Sequence, residues 1–148
     1  MADIFIKVTE DDFIIDDEVT ALKQATVGAI AVFIGTVRDI SGELISLTLE
    51  HYSQMTEQQL GVIAAQAASQ FDLNGLRIIH RVGRLAPTEN IVLVAAASAH
   101  REAALKATHF VMDYLKTDAP FWKAEETKEG QSWVSARTDD DLAKDKWR

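Results

Sequence analysis

The segment Asp113-Tyr114-Leu115-Lys116-Thr117-Asp118-Ala119-Pro120-Phe121-Trp122-Lys123 places two lysines on either side of a proline. Lys116 falls at the end of an expected helix and Lys123 at the start of the next strand, so the turn between them can face both amines toward one pocket. Two ammonium groups sharing a pocket depress each other's pKa, which makes a neutral amine available as base or nucleophile. The structural alternative is an ordinary one: a lysine in the last helical turn complements the helix dipole, with Asp113 three residues back as its partner. Phe121 and Trp122 are then core residues.

A second candidate is Ser98-Ala99-His100-Arg101, where an apolar strand run gives way to a helical one. The start of a helix offers unpaired N–H donors and partial positive charge, and His100 and Arg101 beside it suit a phosphate-sized anion. Alternatively, Glu102 complements the dipole and Arg101 reaches solvent or a neighbouring carboxylate. Arg38 is the third candidate, at the end of a strand and just before a Ser41-Gly42 loop, where sites tend to be assembled on a scaffold; a surface salt bridge is its alternative. The four histidines, 51, 80, 100 and 109, fall on separate elements. Their spacing leaves a metal site open, with hydrogen-bonded structural histidines as the plainer reading.

Other chemistries find no support. The sequence has no G-x-S-x-G, H-E-x-x-H, G-x-G-x-x-G or Walker A pattern. Its 148 residues include no cysteine, which removes disulfides, Cys-ligated metals and any protein thiol or persulfide. At 47 % hydrophobic and 26 % charged residues, the composition is that of an ordinary soluble globular protein of one domain, residues 1–148. With 15 Lys+Arg against 23 Asp+Glu the net charge is −8, which disfavours nucleic acid and anionic membranes as partners. The acidity sits at the ends: residues 21–123 hold nine acids and nine bases. The N-terminus lacks a basic n-region and the uncharged stretch Ala25–Val37 is too short to span a bilayer, so a cytoplasmic location is expected.

The elements that must position these residues follow from periodicity. Ile4–Val8 reads as a strand, and Asp16 or Asp17 as the N-cap of a short helix to about Gln24. Gly28–Arg38 is apolar on both faces and reads as a central buried strand. Asp39–Glu43 is a loop, and Leu44–Tyr52 is a strand with Ile45, Leu47 and Leu49 on one face. Thr56 and Gln59 resemble a capping box ahead of a helix whose apolar face is Leu60, Ile63, Ala64, Ala67 and Phe71. Strands are expected over Leu76–Gly83 and Asn90–Ser98. A helix from Arg101 to Lys116 aligns Ala104, Thr108, Val111 and Leu115, and Pro120 ends it. Phe121–Thr127 and Ser132–Arg137 form a closing hairpin around Glu129-Gly130. The tail from Thr138 is polar, held loosely or docked on a partner. This irregular order fits an α+β fold with a mixed, mainly antiparallel sheet and two main helices.

Taken together, VFIGTVRD (32–39), LTLEHYSQMTE (47–57), IIHRVGRL (78–85), SAHREAA (98–104) and MDYLKTDAPFWKAE (112–125) resemble the family of large, catalytic subunits of molybdopterin synthase. The resemblance covers about residues 27–137 and implies an α/β-hammerhead fold. It also implies a sulfurtransferase that converts cyclic pyranopterin monophosphate (precursor Z) to molybdopterin. Two dithiolene sulfurs would arrive as the thiocarboxylate on the C-terminal Gly-Gly of a small ubiquitin-like subunit, whose tail enters a pocket of the large one. The implied assembly is a heterotetramer around a dimer of large subunits, without metal or other cofactor. By the same resemblance Lys116 is the main catalytic lysine. Lys123 binds substrate and stabilises charge, Glu125 helps position the substrate, and Ala124 lies beside them. Arg38, with Thr36 and Val37 next to it, joins His100 and Arg101 in the anion pocket, and Arg137 reaches the pocket of the neighbouring large subunit. Thr36 stands where relatives can carry lysine. The competing expectation is a non-catalytic pterin- or phosphate-binding protein, or a dimeric scaffold, of the same fold.

Overall fold

The computed structural model describes residues 2–51, 53–119, 121–134 and 147. Among these residues eight strands and three helices follow one another as β1 (Asp3–Thr9), α1 (Ile15–Thr20), β2 (Ala29–Thr36), β3 (Ser46–His51), α2 (Ser53–Gln70), β4 (Gly75–Arg81), β5 (Gly83–Leu85), β6 (Asn90–Ser98), α3 (Arg101–Asp118), β7 (Phe121–Thr127) and β8 (Gly130–Val134). They build two four-stranded sheets, ordered β1-β4-β6-β2 and β5-β3-β7-β8. In the first sheet β1 runs parallel to β4, and the other pairs are antiparallel. The second sheet is antiparallel throughout. The α+β class expected from the sequence is the observed one, with two sheets sharing the strands.

Strand β6 lies at the centre of the first sheet because both of its faces can be covered. Val92, Val94 and Ala96 point into the cluster formed with α2 and α3, while Leu93, Ala95 and Ala97 point to the opposite cluster with Phe13 and Leu22. This alternation of two buried sets is what period-2 side-chain geometry produces in a strand wrapped on both sides. The helices bury the faces their spacing predicts: Leu60, Ile63, Ala64 and Ala67 of α2, and Ala104, Thr108, Val111 and Leu115 of α3. Phe71, just past α2, meets Phe110 of α3 edge-on at 5.5 Å.

Several expectations are corrected. Strand β2 is an edge strand, since β6 separates it from the rest of the sheet, and its Val32 and Phe33 each remain 39 % exposed. Two apolar faces are a property of the strand itself; the lack of a second neighbour is decided by where the chain goes. The expected strand over 76–83 breaks at Val82, because Gly83 adopts φ +89° and hands the chain from β4 in one sheet to β5 in the other. Asp16 and Asp17 occupy the first turn of α1, whose N-cap is Ile14 with no side-chain cap bond. Helix α2 starts before Thr56, which is fully buried inside it. Ile45 precedes β3 and stays exposed, while Leu47 and Leu49 are buried as expected. In the closing hairpin Thr127 pairs with Gly130, so the turn is Lys128-Glu129 and β8 starts earlier than expected. Tyr52, Pro120, Arg137 and the tail over 138–146 lie outside the described residues. At Trp147 the chain rests on α3: the indole N–H donates to Asp113 Oδ2, and the ring meets Phe110 edge-on at 5.5 Å. Among the described residues no helix is long and apolar enough to cross a membrane.

Candidate functional site

Lys116 lies exposed in the last turn of α3. The helix ends at Ala119, whose backbone is extended (φ −75°, ψ 132°), and the Phe121 N–H closes the turn on the Ala119 carbonyl at 2.9 Å. Two residues later Lys123, half-buried, stands in register with Leu49 of β3 and Val134 of β8. Ala124 is buried against its neighbours, and Glu125 is exposed opposite Leu47 and Ser132. The helix stop therefore brings Lys116 and Lys123 to one end of the molecule.

Arg38 reaches the same end through Val37. Val37 packs with Leu47, Leu49 and Leu85, and Leu49 is the cross-strand neighbour of Lys123. The backbone here is held twice: Val37 N–H donates to the Glu89 carbonyl (2.9 Å), and Thr88 N–H donates to the Val37 carbonyl (2.8 Å). Thr88 has φ +79°, a conformation a β-branched residue adopts only at a cost, so the Pro87-Thr88 turn stores strain where it grips the root of Arg38. Arg38 and Thr36 are both exposed. Beyond them Asp39 organises the loop, its Oδ1 accepting from the N–H groups of Gly42 (2.9 Å) and Leu44 (3.3 Å), with Gly42 at φ +80°.

His100 and Arg101 are placed elsewhere. Ser98 pairs with Ala29 and Asn90 with Thr36, so the ends of β6 and β2 that carry His100 and Arg38 are opposite ends of the sheet. At about 3.3 Å per residue they are roughly 23 Å apart. Along α3, Arg101 and Lys116 are separated by about 22 Å at 1.5 Å per residue. A single chain thus gathers Arg38, Lys116 and Lys123 and keeps His100 and Arg101 at the far end. There the helix start carries the arrangement its alternative reading describes in part, with Glu102 held by Lys106 at 2.8 Å.

The site also contains residues that the sequence did not single out together. His80, at the end of β4 and only 5 % exposed, lies flat on Phe121, with ring centroids 3.7 Å apart and planes 15° from parallel. Its Nδ1–H donates to the Arg81 carbonyl at 2.7 Å, which leaves the lone pair on Nε2. Burial holds His80 far below the ordinary 6.5, at about 3, against the opposing effect of the Arg81 carbonyl and with help from the charges of Lys116, Lys123 and His51. That both lysines act on one buried imidazole agrees with their common location. His51, the cross-strand neighbour of Phe121, has its ring 6.3 Å from that of Phe121, and its buried Nδ1 has no hydrogen-bond partner among the described residues. His51 also lines a cleft of about 290 Å³ with Glu50, Trp122 and Trp133. The available signal for this cluster was the alternation of IIHR, which puts His80 on the same face as Ile78; nothing local points it at Phe121. Among the described residues no group of three His, Cys, Asp or Glu could hold a metal ion.

The His80 geometry sets a pH dependence. A histidine whose folded-state pKa is lowered favours the neutral form on folding. Its contribution is complete above about pH 6.5 and is lost as pH falls from there toward 3. Thermal melts between pH 7 and pH 5, above the ordinary carboxylate range, are expected to show a falling Tm for the natural chain. A His80→Phe variant is expected to show a flatter limb, and equal slopes would contradict this origin.

The site thus sits on an α+β scaffold with two lysines and an arginine toward one end, and the sequence contains no thiol. Comparison with known proteins is specific. The family described as "MoaE protein" matches over residues 8–118. The molybdopterin synthase catalytic subunit of Mesorhizobium japonicum is 48 % identical over 147 residues, covering 97 % of this chain and 92 % of the relative. The solved molybdopterin biosynthesis MoaE protein of Burkholderia ambifaria is 47 % identical with a TM-score of 0.85, covering 99 % of this chain and 98 % of that one. A solved complex of subunits 1 and 2 of the molybdopterin-converting factor of Helicobacter pylori shares the fold at 19 % identity, with a TM-score of 0.72 over 90 % of this chain and 91 % of that one. The chain belongs to the MoaE family.

Proposed function

We propose that this chain is the catalytic subunit of a cytoplasmic molybdopterin synthase that inserts both dithiolene sulfurs into precursor Z at the Lys116–Lys123–Arg38 end of the fold. Family membership carries the reaction class, a sulfurtransferase of molybdenum-cofactor biosynthesis. The observation that supports the site is the helix stop that brings Lys116 and Lys123 to one end of the molecule, where the segment after β2 holds Val37 and Arg38.

The sulfur comes from outside. With no cysteine, the chain needs a carrier, and a C-terminal thiocarboxylate on a small ubiquitin-like subunit is one whose negative charge suits a lysine-lined pocket. The two-subunit complex from Helicobacter pylori, which shares this fold, supports a small-subunit partner. Lys116, on the helix end, meets the thiocarboxylate and moves protons or holds the acyl group. Lys123 binds the pterin phosphate and stabilises charge as the cyclic ester opens, and Glu125 orients the substrate beside Ala124. Arg38, flanked by Thr36 and Val37, pairs with the phosphate, a task for which a guanidinium fork is well shaped.

The separation of His100 and Arg101 from these groups points to a dimer of large subunits within a heterotetramer. In it, His100 and Arg101 of one copy complete the anion pocket of the other, as Arg137 does. The half-exposed apolar edge at β2, with Val32 and Phe33, supports self-association. The test is conversion of precursor Z by the purified chain and a small subunit ending in a verified Gly-Gly thiocarboxylate. Dithiolene product is expected with the thiocarboxylate and none with the plain carboxylate. No product with the thiocarboxylate overturns the proposal.

A further inference from the structure

Strand β7 hydrogen-bonds to β3 and β8, both in the second sheet. The ladder, which pairs Phe121 with His51, fixes β7 within its own sheet, and the distance from Lys123 to Lys116 on α3 depends also on how β7 sits against the first sheet and its helices. That seating depends on the short connection through Ala119 and on whatever holds the start of β7 in place. The first residue of β7 is Phe121, five past Lys116 and two before Lys123, so Phe121 and Lys123 project from the same side of the strand.

Phe121 rests on His80, which belongs to β4 of the other sheet. The imidazole cannot slide easily. Its Nδ1–H is bonded to the Arg81 carbonyl. The Arg81 side chain is itself tied to the Asn90 carbonyl (3.0 Å) and the Glu10 carbonyl (3.1 Å). The ring is flat, buried and neutral, which lets it lie beneath Phe121 without placing a third cation near Lys116 and Lys123. A protonated ring there would face Lys116 from α3, Lys123 from β7 and His51 from β3.

We propose that His80 is a positioning residue for the sulfur-transfer site: stacked under Phe121 and pinned to the Arg81 carbonyl, it fixes the turn that sets Lys116 and Lys123 at their working separation. The inference rests on the reading of those lysines as the reacting pair. Histidine suits the place because it combines an aromatic plane for Phe121 with a ring N–H for the backbone anchor. Leucine would fill the volume without either, and Phe would keep the plane alone.

The complex of the full chain with its thiocarboxylated small subunit provides the test, using precursor Z and four variants: His80→Ala, Phe121→Leu, the two combined, and His80→Phe. His80→Ala is expected to lower kcat roughly 10- to 100-fold, the scale on which small misplacements act, with KM for precursor Z changed less than about threefold. Phe121→Leu should fall in the same range, and the double variant should be no slower than the worse single one, because both remove the same stack. His80→Phe should recover most of the lost kcat. A role in stability alone would move the melting temperature and leave kcat of the folded fraction intact.

Unchanged kcat in folded His80→Ala or Phe121→Leu, a loss confined to KM, or losses that multiply in the double variant overturn the proposal. If His80→Ala does not fold, Phe121→Leu and His80→Phe carry the same comparison. Lys116→Ala, assayed in parallel, separates the two layers. An active Lys116→Ala overturns the site itself, whereas an inactive one beside a fully active His80→Ala overturns only the positioning role.

Discussion

Lys116→Ala is expected to lower the rate of dithiolene formation about 10²- to 10⁴-fold, the range that a positioned proton-transfer group supplies. The side chain stands exposed at the end of α3, so its removal opens no cavity in the core. Thermal stability should fall by no more than about 1 kcal/mol, the scale of a lysine's interaction with a helix C-terminus. The loss would then be chemical and not structural. It should fall on kcat more than on KM for precursor Z, because the pterin phosphate is assigned to Lys123 and Arg38. Single-turnover conversion with preloaded small subunit reads this directly. A Lys116→Ala enzyme that retained a tenth or more of the natural rate, taking about tenfold as the outer limit for a bystander, would remove Lys116 from the catalytic role. Lys123→Ala is a useful contrast: half-buried beside Leu49, it should raise KM as well as lower kcat.

The second large effect concerns sharing of the site between copies. Neither Lys116→Ala nor a His100→Ala/Arg101→Ala chain should make product alone, yet co-expressing them should restore about a quarter of the natural activity. The figure follows from two-fold symmetry: half of randomly paired dimers are mixed, and each mixed dimer has one intact and one doubly defective site. The motive is the separation already described, with Arg38 near the end of β2 that pairs with Asn90 and His100 beyond the end that pairs with Ala29. Activity of the mixture no higher than that of either variant would place both sets of residues in separate functions. Activity of the His100→Ala/Arg101→Ala chain alone near the natural level would remove these two residues from the pocket.

How much of this was legible beforehand depends on the range of the interaction. The faces of α2 and α3, the extent of β6 and the stop before Lys123 were readable because each is a local pattern. Leu60, Ile63, Ala64 and Ala67 recur at helical spacing and are buried for that reason. The run Asn90–Ser98 is apolar at every step and is covered on both faces. The lysine pair was readable for the same reason, since only a short turn separates the two residues. The edge position of β2, the break at Gly83 and the contact between His80 and Phe121 were not readable. Each depends on which distant segment arrives alongside: β6 beside β2, β5 crossing into the second sheet, and β7 folding back over β4 from 41 residues further along the chain.

By itself, then, the sequence determined which residues face inward, that the chain has no thiol of its own, and that two amines flank one helix stop. These are properties of composition and of periods of two and 3.6 residues, which backbone geometry imposes wherever the segment ends up. The tertiary structure alone decided that Arg38 joins the lysines while His100 and Arg101 do not. It also decided that a neutral histidine from another sheet lies beneath the turn between them. Strand order and sheet crossing carry those decisions, and they arise from contacts between residues far apart in the chain, where local periodicity has no reach.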